Sequence, residues 1–263
     1  MRRNSKPHID LPTHESTKML KFGLKRSVFN ESEKVGYFKY QHIDLPEEFD
    51  LRSLKTIYVY NQGQTNSCSS NAISNQLRYL QDVEPSRAFI YVNSLITDQQ
   101  KENNKRPIED TGCSLKSAYE ALYKYKFCDE YEHPFDEEHI TKFPDETAYL
   151  SAFKNNFISS YRNIYPCIYN IKYILFQIKK PIVFGMAVYS NFERLTKENN
   201  ILYRPSIDDV YLGLHAVLAV GFNKDGLIVC NSHGRFFAND GFFTMAYEYI
   251  NDENVFEFWV MNS

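Results

Sequence analysis

Two residues in the first third of the chain have the chemistry needed for attack on a carbonyl group, one as the nucleophile and the other as a hydrogen-bond donor to the oxyanion that forms. Cys68 opens a run whose apolar residues recur at helical spacing, so we expect it to begin a buried helix. A thiol at that position faces unpaired N–H groups and the positive end of the helix dipole, and both favour the thiolate. Gln62 lies six residues earlier and can donate its side-chain amide to a developing oxyanion. The pair predicts a cysteine nucleophile beside an oxyanion site.

A cysteine nucleophile needs a base, and the base needs a group that orients it. His215 stands at the mouth of an apolar run that predicts a buried strand. Asn231 follows a second apolar run of the same kind. The order Cys68, His215, Asn231 therefore supplies a nucleophile, a base and an orienting group.

The segments around these residues resemble the papain-like (cathepsin-type) cysteine peptidases over about residues 45–263. Cys68 and His215 are separated by a distance within the roughly 130–150 residues typical of that family. The family also has a Gln-Gly pair before its nucleophile, an Asn-Ser-Trp-Gly motif and a following Gly-Tyr-Phe strand. Their counterparts here are Gln62-Gly63, Asn231-Ser232-His233-Gly234 and residues 239–244, and residues 45–52 resemble the start of the mature domain.

The resemblance implies an α+β fold with two lobes, a helical lobe carrying Cys68 and a β-barrel-like lobe carrying His215, with the cleft between them. It implies an endopeptidase that hydrolyses peptide bonds through an acyl-enzyme on Cys68, with His215 as general acid and base. Gln62 and the Cys68 N–H would stabilise the oxyanion, and Asn231 would accept the imidazole N–H. No cofactor is expected.

The resemblance also implies four substrate-binding residues. Gly112 matches a glycine whose backbone holds an extended substrate as an antiparallel strand, and a side chain there would block the substrate. Cys113 either lines the cleft or is a small buried residue packed against the next helix. Gly213 and Ala216 flank the histidine, and their small size leaves room for a bulky apolar side chain two residues before the cut.

Four positions depart from the family pattern. Thr65 and Asn66 replace a cysteine and a glycine before the nucleophile, so the family's disulfide near the active site is not expected. Ser69 and His233 replace two tryptophans, of which the second shields the histidine–asparagine hydrogen bond. We expect His233 to shift the pH profile. The pattern is closest in kind to divergent members from bacteria and large DNA viruses.

Apolar periodicity predicts the elements that must position these residues. Helices are expected at 68–82, at 86–93, after Ser114 and after a cap at Asn170, with a loop at 99–107. Strands are expected at about 182–188, 214–222, 227–230 and 242–245, with a hairpin at 221–226.

The expected organisation is an N-terminal extension, residues 1–44, before a peptidase domain, residues 45–263. The helical lobe would cover about 60–150 and the β-rich lobe about 165–263. The extension is charged and shorter than the family's inhibitory propeptides. It is either a short pro-segment in or near the cleft, or a surface extension that aids folding or delivery.

Composition and charge exclude several classes of function. The chain has 263 residues and a net charge of −3 with no long basic block, so the expected partner is a peptide or protein substrate, not nucleic acid or a membrane. The polar N-terminus predicts no signal peptide, hence reduced cysteines and an intracellular protein, or one packaged in a virion if viral. Residues 129–147, with His133 and His139, are expected to form a solvated loop and no metal site.

Three other functions stay open at this stage. A pseudopeptidase that keeps the fold for binding would explain the missing tryptophans. A transglutaminase-like or acyltransferase enzyme uses the same triad logic, but typically orients its histidine with aspartate where this chain offers Asn231. A structural or nucleic-acid-binding protein is opposed by both charge and motifs.

Overall fold

The α-helices of the described residues lie in the first two thirds of the chain, and six of the eight strands follow them. A computed structural model describes residues 19–29, 43–102, 106–155, 158–250 and 254–262. Its α-helices are α1 (Cys68–Gln81), α2 (Arg87–Lys101), α3 (Leu115–Tyr125), α4 (Glu146–Lys154) and α5 (Ile168–Tyr173), and a π-helical turn, Ile174–Ile178, continues α5.

The strands form one mixed sheet, which is mostly antiparallel. The central strand β5 pairs with β3 on one side and β6 on the other, and the full order is β2-β8-β3-β5-β6-β7-β4, with β1 also pairing with β5. The bounds are β1 (Phe49–Asp50), β2 (Ser160–Ile164), β3 (Ile182–Tyr189), β4 (Ile201–Leu202), β5 (Tyr211–Phe222), β6 (Gly226–Cys230), β7 (Phe242–Ala246) and β8 (Val255–Asn262).

Helix α1 is the element that joins the two halves of the structure. It contacts α2 and α3 on one side and β5 and β3 on the other. Ile73 and Leu77 are fully buried at this junction, as the helical spacing of the apolar residues requires. The first residue of α1, Cys68, therefore lies where the helices meet the central strand. The papain-like two-lobed α+β architecture expected from the sequence is present.

Several predicted boundaries were wrong. Helix α2 continues to Lys101, so the first residues of the expected 99–107 loop are helical. Asn170 is not a helix cap but lies inside α5, whose cap is Cys167; its sulfur accepts the Asn170 N–H at 3.4 Å. The prediction took the first strong capping residue type as the start of the helix, and a cysteine cap gives no such signal.

Strand β8 and helix α4 are among the elements that the sequence did not predict. Strand β8 pairs with β2 and β3 along its two edges, and its residues are also buried on both faces of the sheet, so its sequence shows no alternation of polar and apolar residues. Helix α4 is short and buries only Ala148 and Ala152 fully. Both depend on long-range contacts, which periodicity along the chain does not report.

Among the described residues, none of the helices combines the length and the apolarity needed to cross a bilayer.

Candidate active site

Cys68 is the first residue of α1 and its side chain is fully buried. Backbone N–H groups of Ser69, Ala216 and Gly23 point at its sulfur. Burial raises the pKa of the thiol to about 11, against the lowering effect of these N–H donors. The thiol is therefore neutral in this form of the protein, although the donors that would stabilise a thiolate are in place.

His215 lies on β5, opposite Met186 of β3. Its Nε2 is 2.7 Å from Asn231 Oδ1, and among the described residues its Nδ1 has no hydrogen-bond partner. The N–H of the next residue, Ala216, is directed at Cys68, so this part of β5 lies against the start of α1. Burial lowers the pKa of His215 to about 3, helped by the nearby His233 and opposed by the bond to Asn231.

Asn231 is held at the end of β6 by its backbone. Its N–H donates to Gly241 O at 2.9 Å, which fixes the residue beside β7. Its side-chain oxygen faces His215, and its side-chain nitrogen lies 2.9 Å from His233 Nδ1. The side chain thus bridges two imidazole rings.

Gln62 is oriented by hydrogen bonds at both ends of its amide. Its Oε1 accepts from Ser232 Oγ at 2.6 Å, so Nε2 points the other way. Nε2 donates to Thr65 O at 2.9 Å and to the carbonyl of Lys21 at 3.2 Å. Ser232 was missed by the sequence argument, although it belongs to the motif that contains Asn231.

The loop before Cys68 is joined to the loop before α3 by hydrogen bonds. Asn66 donates its N–H to both carboxylate oxygens of Asp110 at 3.0 Å, and its side-chain amide donates to Asp110 O at 2.7 Å. The Tyr91 hydroxyl also donates to the Asp110 carboxylate. All five cysteines lie in described ranges and are unpaired. The hydrogen bonds of Asp110 with Asn66 and Tyr91 form a polar staple between the two loops. This staple was not predicted, because the three residues lie far apart in sequence.

Residues 19–29 lie along the cleft and cover both Cys68 and His215. Leu24 N–H donates to Leu214 O and Lys25 N–H donates to Cys113 O, each at 3.1 Å. Both pairings are parallel. The Phe22 ring packs edge-on against His215 with centroids 5.4 Å apart. Residues 1–18 and 30–42 of the N-terminal extension lie outside the described residues.

Comparison with known proteins agrees with this geometry. Residues 45–258 match the papain family cysteine proteases. The chain belongs to this family. It is 30% identical over 235 residues to an uncharacterised peptidase C1-like protein of Acanthamoeba polyphaga mimivirus, covering 81% of this chain and 73% of that protein.

Two solved structures are similar to most of this chain. Xylellain, a cysteine protease from Xylella fastidiosa, superposes with a TM-score of 0.78 at 26% identity, covering 92% of this chain and 96% of that one. Procathepsin B from Trypanosoma congolense gives a TM-score of 0.67 at 16% identity, with 92% and 85% covered. The likeness to the procathepsin concerns the fold alone.

Three of the four residues to which the papain-family resemblance assigned substrate binding contact residues 22–25, and the fourth, Ala216, contacts Cys68. Gly112 has a φ of +72°, and a Cβ there would overlap the carbonyl oxygen of Gly23. A Cβ on Gly213 would lie 3.1 Å from the Phe22 Cβ. Ala216 is fully buried and meets Cys68 through its backbone. Only the carbonyl of Cys113 faces the segment; its sulfur is buried 3.0 Å from Ser69 Oγ.

A pocket for an apolar side chain lies beside these residues. Leu24 enters it and is only 5% exposed. A Cβ added at Gly185 would overlap both the Phe256 ring and the Leu24 side chain. Gly185 and Phe256 therefore bound the pocket that Leu24 occupies. Gly185 and Phe256 were not predicted, because β3 and β8 meet only in the folded sheet.

Proposed function

We propose that this papain-family protein is a thiol-dependent endopeptidase that acts through a Cys68 acyl-enzyme and is restrained by its own N-terminal segment. The observation that carries the chemistry is the 2.7 Å contact between His215 Nε2 and Asn231 Oδ1. An amide oxygen is an acceptor, so Nε2 carries the proton and Nδ1 is left as the basic nitrogen. Nδ1 is also the ring atom without a partner among the described residues.

The reaction follows from the groups around the cleft. Once His215 has taken the Cys68 proton, the thiolate adds to the scissile carbonyl and forms a C–S bond. The new oxyanion is held by the Cys68 N–H and Gln62 Nε2, at roughly 3–4 kcal/mol per donor in comparable sites. His215 returns its proton to the leaving amine as the C–N bond breaks. Water activated by His215 then hydrolyses the thioester.

The position of Lys21 supports the role of Gln62. Its carbonyl oxygen lies 3.2 Å from Gln62 Nε2, so the cleft already holds a peptide carbonyl at this donor. Gln62 is itself fully buried and fixed by Ser232, so the donor needs no rearrangement before a substrate arrives.

Residues 19–29 restrain the enzyme in two ways. The segment pairs in parallel with Leu214 and Ser114, whereas the family's substrates are expected to pair antiparallel with the cleft wall. The segment therefore runs through the cleft in the direction opposite to a substrate, which makes it a poor substrate. It also removes water from the catalytic pair. Because burial raises the pKa of Cys68 and lowers that of His215, the covered pair is neutral and the nucleophile is not formed.

Leu24 supports the preference for a bulky apolar residue two positions before the cut. Its chain neighbours Gly23 and Lys25 contact Gly112 and Cys113, and its own side chain occupies the apolar pocket bounded by Gly185 and Phe256. A substrate leucine or phenylalanine would bury a comparable area in this pocket, worth about 1.5–3 kcal/mol.

The test is hydrolysis of fluorogenic dipeptides under reducing conditions by the full-length chain and by Gly23→Val, which should displace the segment. Cys68→Ala should abolish turnover in both. Cys128→Ala, a buried cysteine packed with Phe89 and Ala148, is the matched control and should retain it. Absence of turnover, together with no labelling of Cys68 by a thiol-directed epoxide, would leave a pseudopeptidase.

A further inference from the structure

Asn231 uses both ends of its side-chain amide, and each end meets a histidine ring. Oδ1 lies 2.7 Å from His215 Nε2, and Nδ2 lies 2.9 Å from His233 Nδ1. The two imidazoles stack with centroids 4.9 Å apart and planes 11° from parallel. Asn231 is 2% exposed, so water does not satisfy either end of the amide. His215, Asn231 and His233 therefore form one continuous chain of hydrogen bonds.

The amide can fill its site in two orientations that exchange Oδ1 and Nδ2. Only one of them serves the proposed chemistry. With Oδ1 facing His215, the ring proton stays on Nε2 and Nδ1 is basic. With Nδ2 facing His215, Nε2 must become the acceptor and the proton moves to Nδ1, which removes the base from the side of Cys68.

We propose that His233 is a positioning residue whose Nδ1, acting as an acceptor, holds Asn231 in the orientation that makes His215 a base. A residue without an acceptor would leave Asn231 Nδ2 buried and unpaired, so the productive orientation would lose its advantage. The role rests on the proposed thiol chemistry and extends it to a third side chain behind the nucleophile.

The surroundings of His233 keep its Nδ1 unprotonated. With Nδ1 as acceptor the ring proton lies on Nε2, which is 3.4 Å from the carbonyl oxygen of Lys21. Burial lowers the pKa of His233 to about 4, opposed in part by the bond to Lys21. The ionisable groups around it are His215, the exposed Lys21 and Glu193, which lines the same part of the cleft. A positive His215 would repel a second proton on His233.

Ring-nitrogen NMR of the full-length chain tests the tautomer without requiring turnover. With ¹⁵N-labelled histidine and Cys68→Ala, His233 should show an unprotonated, hydrogen-bonded Nδ1 and a protonated Nε2 at neutral pH. Asn231→Ala should move the Nδ1 resonance towards that of a free ring. A protonated Nδ1 on His233 would overturn the proposal, whether or not the protein is an active enzyme.

Kinetics then separate positioning from simple shielding, in a full-length Gly23→Val background. His233→Phe should lower kcat by roughly 10–100-fold with little change in KM, the range found when the groups that orient metal-binding histidines are removed. His233→Gln supplies an acceptor and should retain most of the activity. Thermal unfolding of each variant checks that the fold is kept.

Shielding predicts a different outcome, because phenylalanine excludes water as well as histidine does. Full activity of His233→Phe would therefore overturn the proposal. The proposal would also be overturned if His233→Phe lowered kcat by the same factor in an Asn231→Ala background. A residue that acts through Asn231 has no effect on kcat once Asn231 is gone. If the Gly23→Val reference shows no thiol-dependent turnover, the proposed peptidase function fails, and the NMR result still decides the role of His233.

Discussion

A side chain on Gly112 would overlap the carbonyl oxygen of Gly23. The two glycines face each other across the cleft, one on the wall before α3 and one on the N-terminal segment. Gly112 has a φ of +72°, a conformation that favours glycine, and Gly23 lies so close to Asn66 that a Cβ would overlap it. The segment therefore reaches Cys68 only because both residues lack a side chain.

Gly23→Val should lift the segment from the cleft and raise the turnover of the full-length protein. Overpacking costs about 1–3 kcal/mol, so the gain should be roughly 5- to 150-fold. The measurement is hydrolysis of a fluorogenic dipeptide at matched protein concentration. Val28→Ala is the control, because that side chain is 84% exposed and its carbonyl bond to Lys116 is kept. Equal activities of Gly23→Val and the unaltered chain would contradict restraint by the segment.

Ser27→Ala should weaken the restraint from the other end of the segment. The Ser27 N–H donates to the Glu257 carboxylate at 2.7 Å, and the hydroxyl donates to the same group while accepting the Lys116 N–H. A hydrogen bond to a charged group is worth about 1.5–3 kcal/mol, so basal turnover should rise about 10-fold or more. Ser27→Thr keeps the hydroxyl and should stay restrained; a rise in that variant too would show that packing, not the hydroxyl, matters.

Acidification should release the segment. Burial lowers the pKa of His215 to about 3 and that of His233 to about 4, whereas exposed histidines titrate near about 6.5. The uncovered form therefore binds protons that the covered form cannot. The restraint is complete above about pH 6.5 and weakens as the pH falls towards about 4, by up to about 10-fold per pH unit for each histidine.

The measurement is the ratio of the turnover of the unaltered chain to that of Gly23→Val across this pH range. The ratio separates release of the segment from the pH dependence of the catalytic residues themselves. Glu257 acts in the opposite direction, because burial raises its pKa and its protonation favours the covered form. Glu257→Gln should therefore steepen the acid release. A ratio that is independent of pH would rule out histidine-linked release.

Asp110→Ala should destabilise the fold near the nucleophile. It removes the acceptor of the Asn66 N–H and of the Tyr91 hydroxyl, and each buried donor left unpaired costs about 1–3 kcal/mol. Denaturant unfolding should show a loss of roughly 2–4 kcal/mol in the free energy of unfolding. The control Asp136→Ala removes an exposed partner of His139 and should change stability little. Equal losses in the two variants would mean that the Asp110 bonds are not a staple.

The sequence by itself determined which chemistry the chain could carry. Cys68 at a helix start, His215 on a buried strand, Asn231 at the end of another and Gln62 before the nucleophile were identifiable from residue type, order and spacing. In the structure His215 and Asn231 are hydrogen-bonded, and residues 21–23 of the N-terminal segment contact Gln62, His215 and Cys68. Local sequence also predicted α1, whose apolar residues recur at helical spacing, and the core of β5, whose continuous apolar run is buried on both faces of the sheet.

Only the tertiary structure decided what surrounds those residues. The bonds of Asn66 to Asp110 and of Ser27 to Glu257, and the pocket between Gly185 and Phe256, join positions far apart in the chain. The sequence predicted His233 at the position that shields the His215–Asn231 hydrogen bond, but it did not show that His233 meets Asn231 through Nδ1, nor that Gly23 lies over Cys68. Hydrogen bonds and close approaches depend on distances of a few tenths of an ångström, which spacing along the chain does not set and the packed sheet and helices do.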